Sequence, residues 1–156
     1  MLPAVAAVGY AVDESYSTDR IRRMAGSNLR RPPGELFFDA AFGAPLSPVD
    51  AGAYAEALEL VRWAPSASNK QPWRIVRNPA GWHFYLERTS GYGKGTLLFA
   101  VLRLADLQRV DMGIAMCHFE LAAREAGQAG AWVVENPGIA TPHGGAEYTA
   151  TWRPLS

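Results

Sequence analysis

Apolar residues recur at helical spacing in two stretches of the chain. Between Pro48 and about Arg62 they follow the i, i+4, i+7 pattern that marks one buried face of a helix. A second buried face predicts another helix that continues to Gly127. The first face consists of Tyr54, Leu58 and Val61, widened by Ala57 and Leu60, and the second of Met112, Ala115, Met116, Phe119, Ala122 and Ala123.

Polar residues and prolines mark the ends of the first helix. Ser47 is a good N-cap, Pro48 suits the first helical turn, and Asp50 faces the positive end of the helix dipole. Pro65 disfavours helical geometry at the residue before it, so we expect the helix to end at Ala64.

Short alternating or apolar runs predict the strands. In the run from Trp73 to Arg77, alternate side chains point to opposite faces. A turn at residues 78–81 joins this strand to Trp82–Leu86, which predicts a hairpin at the sheet edge. This order of elements predicts an α+β domain with an antiparallel or mixed sheet packed with helices. Further strand candidates are Ala4–Val8, Leu36–Phe38, Ala131–Val134 and Glu147–Trp152.

The composition indicates one folded, soluble domain. The chain has 156 residues, of which 49% are hydrophobic, and 15 basic residues balance 15 acidic ones. The overall charge therefore favours neither nucleic acid nor a membrane as a partner. The apolar start from Met1 to Val12 lacks a basic flank and is interrupted at Pro3 and Gly9, so we expect neither a signal peptide nor a membrane span.

Cys117 is the only cysteine of the chain. An intrachain disulfide is therefore impossible, and a reducing, cytoplasmic location is the default expectation. Because Cys117 lies in an apolar helical run, we expect it to be a small buried core residue.

The stretch from Ala64 to Arg74 breaks the helix, opens a strand and concentrates hydrogen-bonding side chains, among them Ser66, Ser68, Asn69 and Gln71. Two interpretations are open at this point. The stretch is either a binding loop or a helix-terminating turn whose polar side chains satisfy only their own backbone.

Six of its residues, in order, match a Pro-Ser-x-x-Asn-x-Gln-Pro-Trp run, and the stretch therefore resembles the signature of the FMN-dependent nitroreductase family. The resemblance implies that Ser66 and Asn69 contact the ring edge or ribityl chain of FMN, and that Pro65 packs close to the isoalloxazine. Asn and Ser suit the alternating donors and acceptors of the flavin edge. The matching residues are Pro65, Ser66, Asn69, Gln71, Pro72 and Trp73, and the implied cofactor-binding residues are Pro65, Ser66, Ala67, Ser68, Asn69 and Gln71.

Two other segments extend this resemblance. The run from Asp111 to Gly127 is similar to the central nitroreductase helix, which packs under the flavin and at the dimer interface. Val8-Gly9-Tyr10, followed by Arg30 and Arg31, resembles the end of such a domain, where a basic pair holds the FMN phosphate. Which arginine contacts the phosphate stays open, and a solvated basic turn is the alternative.

The order of these segments is unusual, because a family end segment precedes a family start segment. The chain resembles the C-terminal half of a TM-type nitroreductase, in which two related units occupy one chain. We therefore expect residues 1–46 to be the tail of a first unit and residues 47–156 to be a second unit, together one compact but incomplete nitroreductase-like fold. The N-terminal arginine motif of the family is not found.

The resemblance implies an oxidoreductase that uses FMN to pass electrons from NAD(P)H to a small nitroaromatic or quinone acceptor. It also implies a homodimer, or a complementary chain that completes the site. The alternative is a non-catalytic or truncated half that needs such a partner to form a flavin site.

Other groups of residues give little support for a different kind of site. Gly91–Thr96 lacks the glycine and serine or threonine spacing of a phosphate loop. His83, His118 and His143 are scattered without metal-ligand spacing, and nothing marks a serine as a nucleophile. No metal site and no catalytic side chain are predicted.

Overall fold

The computed structural model describes residue 26 and residues 28–90, 106–142 and 145–155. The helices are α1 (Pro33–Leu36), α2 (Pro48–Ala51), α3 (Ala55–Trp63) and α4 (Leu107–Glu125), and short 3-10 turns cover Gly52–Tyr54 and Ala67–Asn69. The strands are β1 (Phe37–Asp39), β2 (Trp73–Asn78), β3 (Gly81–Glu87), β4 (Gly130–Val133) and β5 (Ala146–Pro154).

The strands form a five-stranded mixed sheet in the order β1-β2-β3-β5-β4. Among the strands in the described part of the chain, β1 and β2 pair in parallel and the other neighbours are antiparallel. The predicted α+β class with a mixed sheet is therefore confirmed. The β2–β3 hairpin is also present, but its predicted position at the sheet edge is wrong. Phe37–Asp39 pairs with Ile75–Arg77 and takes the edge instead.

The first predicted helix begins and ends as expected but is interrupted. Ser47 Oγ accepts the backbone N–H of Asp50 at 3.1 Å, and Ala64 leaves the helix with ψ 139°. Between these ends, Gly52 adopts a φ of +53°, which separates α2 from α3 by a single 3-10 turn.

Helices α3 and α4 pack on one face of the sheet around the fully buried ring of Phe119. Tyr54 stacks on Phe119 at 5.6 Å, and Phe84 meets it edge-on at 5.3 Å. Aromatic pairs in these arrangements stabilise a core beyond the burial of their area. We call this cluster the aromatic core; it consists of Tyr54, Trp82, Phe84, Phe119, Trp132 and Trp152.

The predicted burial of Cys117 is wrong, because its side chain is exposed on α4. Successive helix residues are about 100° apart, so position 117 lies about 200° from buried Ala115 and turns away from the sheet. The prediction used the apolar character of the run and overlooked its phase.

Several other expectations fall outside the described residues: the Ala4–Val8 strand, the Gly9-Tyr10 segment, the Gly91–Thr96 loop and His143. Among the described residues, the two C-terminal strands are confirmed, each shifted or extended by one or two residues at its ends.

Candidate functional site

The loop from Ala64 to Pro72, which we call the signature loop, follows α3 and leads into β2. Ser68, Asn69 and Gln71 adopt φ values of 51°, 52° and 48°. Asparagine tolerates this left-handed region, whereas serine and glutamine rarely adopt it. Three such residues within four positions persist only if surrounding contacts hold them.

Hydrogen bonds within the loop and from α4 provide part of that hold. Ser66 Oγ accepts the backbone N–H of Gln71 at 2.9 Å, and Ser66 O accepts that of Asn69 at 3.0 Å. From α4, Asp111 Oδ1 accepts the backbone N–H of Ala67 at 3.0 Å. The loop is thus tied both to itself and to the long helix beneath it.

Asn69 ties the loop to the basic segment, which we define as residues 28–31. Its Nδ2 donates to the carbonyl of Leu29 at 2.7 Å and to that of neighbouring Gly26 at 2.6 Å. Its Oδ1 accepts from Arg30 Nη1 at 2.6 Å. The two groups of residues that the sequence predicts as cofactor-binding, nearly 40 positions apart, are therefore in direct contact.

Gln71 makes a second tie to the same segment. Its Oε1 accepts the backbone N–H of Arg31 at 2.9 Å, and its Nε2 donates to the carbonyl of Leu29 at 3.2 Å. With 3% of its surface exposed, Gln71 is a buried member of the signature loop. Its amide is engaged by the chain itself and positions its neighbours.

An open cleft of about 440 Å³ lies between the basic segment and the signature loop. This volume falls within the range of small-molecule sites. Arg30, Arg31 and Lys70 bring three positive charges to it, and none of the described residues that line it carries a carboxylate. The lining residues are Gly26, Leu29, Arg30, Arg31, Ser68, Asn69, Lys70, Gln71 and Thr89. The remaining predicted site residues, Pro65, Ser66 and Ala67, lie in the same loop next to this lining.

A family profile described as "Putative TM nitroreductase" matches residues 46–123, half of the chain. The chain belongs to this nitroreductase family. The matched segment includes α3, the signature loop, the central hairpin and most of α4. A search of the curated proteins and a search of the solved structures found no match.

Membership in the nitroreductase family identifies the chain as an oxidoreductase-type domain of a family that binds flavin. The residues at the cleft can be compared with the groups that a flavin cofactor carries. Arg30 Nε is buried and has no hydrogen-bond partner. Burial, and secondarily the charge of Arg62, lower the pKa of Arg30. A partly buried cation with a spare donor fits a phosphate group.

Arg31 is the more open of the two cations. Its side chain is 41% exposed, and Nη1 lies 3.5 Å from Glu35 Oε2, a long contact between exposed groups. Such a pair contributes little to stability and leaves the guanidinium accessible to a ligand. Arg30 and Arg31 thus differ in setting: Arg30 is bound to Asn69 and has a buried Nε, whereas the guanidinium of Arg31 is open.

Asp111 binds the backbone of the signature loop, although the sequence marks it only as part of the central nitroreductase helix. It is 3% exposed, and burial raises its pKa even though the Ala67 N–H bond acts in the opposite direction. Its Oδ2 is buried without a hydrogen-bond partner. The signal in the sequence that could have marked Asp111 is a carboxylate at a position on the buried face of α4.

Other site types find no support in the described part of the chain. No group of three or more His, Cys, Asp and Glu side chains there is placed to hold a metal ion. No helix in the described ranges is both long and apolar enough to cross a membrane.

Proposed function

We propose that this chain is an FMN-dependent, nitroreductase-like oxidoreductase and that FMN binds in the cleft between the basic segment and the signature loop. The observation that carries the proposal is the direct contact of Arg30 with Asn69, supported by the bond between Gln71 and the Arg31 backbone. These contacts join the two predicted walls of a flavin site into one positively charged surface.

The phosphate end belongs at the basic segment. Arg30 offers the unpartnered Nε, and Arg31 offers an open guanidinium beside it. Guanidinium groups bind phosphate oxygens through paired, charge-assisted hydrogen bonds. Lys70 adds positive charge on the opposite wall of the cleft.

The ring and ribityl chain belong along the signature loop from Pro65 to Ser68. Ser68 lines the cleft, Ser66 and Ala67 precede it in the same loop, and Pro65 is exposed next to them in the chain. We assign Asn69 and Gln71 a positioning role in addition, because their amides already bind the basic segment.

Bound FMN would accept a hydride from NAD(P)H and deliver electrons to a small nitroaromatic or quinone acceptor. The chain's own residues bind the phosphate, fix the ring edge and hold the loop in its left-handed geometry. We propose a reducing, cytoplasmic setting and a second copy or complementary chain that closes the open side of the cleft.

A second candidate is a non-catalytic half that forms a flavin site only with a partner chain. One observation favours it: the amides of Asn69 and Gln71 are used within the chain, as expected for a loop that satisfies its own neighbours.

The test is to purify the chain with added FMN and record its visible spectrum and elution volume. We expect a yellow protein that quenches FMN fluorescence, and a dimeric elution volume. Arg31→Ala and Asn69→Ala should each weaken FMN retention by about tenfold or more, as expected for loss of a charge-assisted contact.

Arg153→Ala is the matched control, because Arg153 is similarly exposed and pairs with Glu135 far from the loop in sequence. It should retain FMN like the wild type. A colourless monomer that leaves FMN fluorescence unquenched would overturn the enzyme proposal for this chain alone. Flavin binding that neither Arg31→Ala nor Asn69→Ala weakens would show that the site lies elsewhere.

A further inference from the structure

Trp63 is the last residue of α3, and its ring lies against Arg30, a residue that lines the cleft. Its side chain is 48% exposed, so the indole does not serve to fill the interior. Its Nε1 donates to Glu59 Oε1 at 2.6 Å, which fixes the ring plane on the helix surface. Two guanidinium groups, those of Arg30 and Arg62, lie against this ring at 5.5 and 4.9 Å from its centroid.

The guanidinium of Arg30 is held from three directions. Nη1 donates to Asn69 Oδ1 at 2.6 Å and lies 3.4 Å from the carbonyl of Ala64, while Trp63 lies against the group. A cation–π contact uses the charge of a guanidinium and leaves its N–H edge available. Trp63 therefore fixes Arg30 without occupying the donors that an anionic ligand needs.

The nearby carboxylate does not neutralise Arg30. Glu59 is bound by Arg62, whose Nε donates to Glu59 Oε2 at 2.7 Å. This bond lowers the pKa of Glu59 and raises that of Arg62, as expected for a committed ion pair. Within the described residues, Arg30 has an aromatic ring and neutral oxygens as partners, and its positive charge stays available at the cleft.

We propose that Trp63 is a positioning residue that sets specificity for a phosphorylated flavin, by holding Arg30 where it binds the phosphate. This inference rests on the proposed flavin site. FMN and riboflavin share the ring and ribityl chain and differ only in the phosphate. An effect through Arg30 therefore changes the affinity for FMN and leaves that for riboflavin nearly unchanged.

The experiment measures dissociation constants for FMN and riboflavin by quenching of flavin fluorescence, for the wild type, Trp63→Leu and Trp63→Phe. Trp63→Leu should weaken FMN binding by about tenfold, in line with a partly desolvated cation–π contact, and riboflavin binding by less than about twofold. Trp63→Phe keeps an aromatic face and should restore most of the preference for FMN.

Leu60→Ala is the matched control, because Leu60 is an exposed apolar residue one turn earlier on α3. It should change neither constant. Thermal unfolding of each variant accompanies the titrations, and Trp63→Met replaces Trp63→Leu if the latter does not fold.

Three results would overturn the assignment while leaving the flavin site intact. They are an unchanged preference for FMN in Trp63→Leu, equal weakening of FMN and riboflavin, and no rescue by Trp63→Phe. A wild type that binds neither flavin would instead overturn the proposed function and this inference with it. The wild-type titration thus separates the two failures.

Discussion

The aromatic core packs against the short helix α3 and the signature loop follows its last residue, yet the two regions are held by different forces. Around Phe119, five aromatic rings lie with their centroids 5.3 to 6.3 Å from its own. In the loop, three non-glycine residues adopt left-handed backbone, and side-chain amides bind a segment about 40 residues away. The core stabilises the fold through burial of apolar surface, whereas hydrogen bonds hold the loop in one specific conformation.

Side-chain deletions in the two regions should therefore have different effects. A deletion in the core removes packing that the whole domain shares, so the free energy of unfolding should fall. A deletion in the loop removes a local tie, so ligand binding and local opening should change more than global stability.

The largest expected effect comes from Phe119→Ala, which removes the central ring of the aromatic core. We expect the free energy of unfolding to fall by about 3–5 kcal/mol, because a large buried side chain leaves a cavity. Urea unfolding measures this change. Leu121→Ala, at a 63% exposed position on the same helix, should stay within about 0.5 kcal/mol of the wild type. Similar losses in both variants would show that Phe119 is not the centre of the core.

The next effect comes from Asn69→Ala, which cuts the ties to Gly26, Leu29 and Arg30. We expect stability to fall by about 1–3 kcal/mol, because carbonyls lose partners and alanine is disfavoured in the left-handed region. FMN retention should fall further than the stability loss explains. Asn136→Ala, which removes only a local bond to Gly138, is the control for urea unfolding and FMN retention. Unchanged FMN retention in Asn69→Ala would remove the functional distinction between loop and core.

A smaller and more local effect is expected from Asp111→Ala. The backbone N–H of Ala67 loses its acceptor, so its hydrogen exchange should become about tenfold faster while the aromatic core keeps its protection. Amide exchange followed by NMR measures both regions in one sample. Glu125→Ala, an exposed acidic position on α4, should leave the Ala67 amide unchanged. Equal acceleration in the loop and in the core would contradict the local role assigned to Asp111.

The smallest expected effect is a change of stability with pH. It comes from His83, which lies on the face of the sheet opposite the aromatic core. His83 is 1% exposed, and its Nδ1 is 2.7 Å from Thr151 Oγ1. Burial, and secondarily the charge of Arg153, lower the pKa of His83 below its usual value. The folded state therefore favours neutral histidine, and its stabilising contribution is complete above the unfolded pKa of about 6.5 and is lost as the pH falls below it.

Urea unfolding at pH 7.5 and 5.5 tests this sign. The wild type should lose more stability between the two pH values than His83→Asn, which keeps a donor near Thr151 and does not titrate. Equal losses in the two proteins would mean that His83 does not contribute to the pH dependence.

The regular elements could be predicted from the sequence because their signals are local. Ser47 and Pro65 mark the helix ends, and the turn at residues 78–81 marks the hairpin. Local signals failed where phase or a distant partner decides the outcome. Cys117 is turned outward by its phase on α4, and the hairpin is interior because a three-residue strand covers its edge.

The sequence indicated the residue types of the candidate site, whose cofactor-binding roles stay predictions, but it did not indicate how these residues are connected. The signature run indicated which residues to examine, yet no sequence pattern says that Asn69 binds Arg30 or that Asp111 binds Ala67. These contacts join residues 39 and 44 positions apart in the chain, so they depend on tertiary structure and not on local sequence. The division into a tail at residues 1–46 and a unit at 47–156 stays a prediction.

We propose that FMN binds where the basic segment meets the signature loop, and a crystal structure of the chain with FMN would decide this. We predict that the phosphate contacts Arg30 and Arg31, with the flavin ring lying along Pro65–Ser68. A flavin bound with its phosphate away from both arginines, or at a surface that excludes the signature loop, would contradict the account.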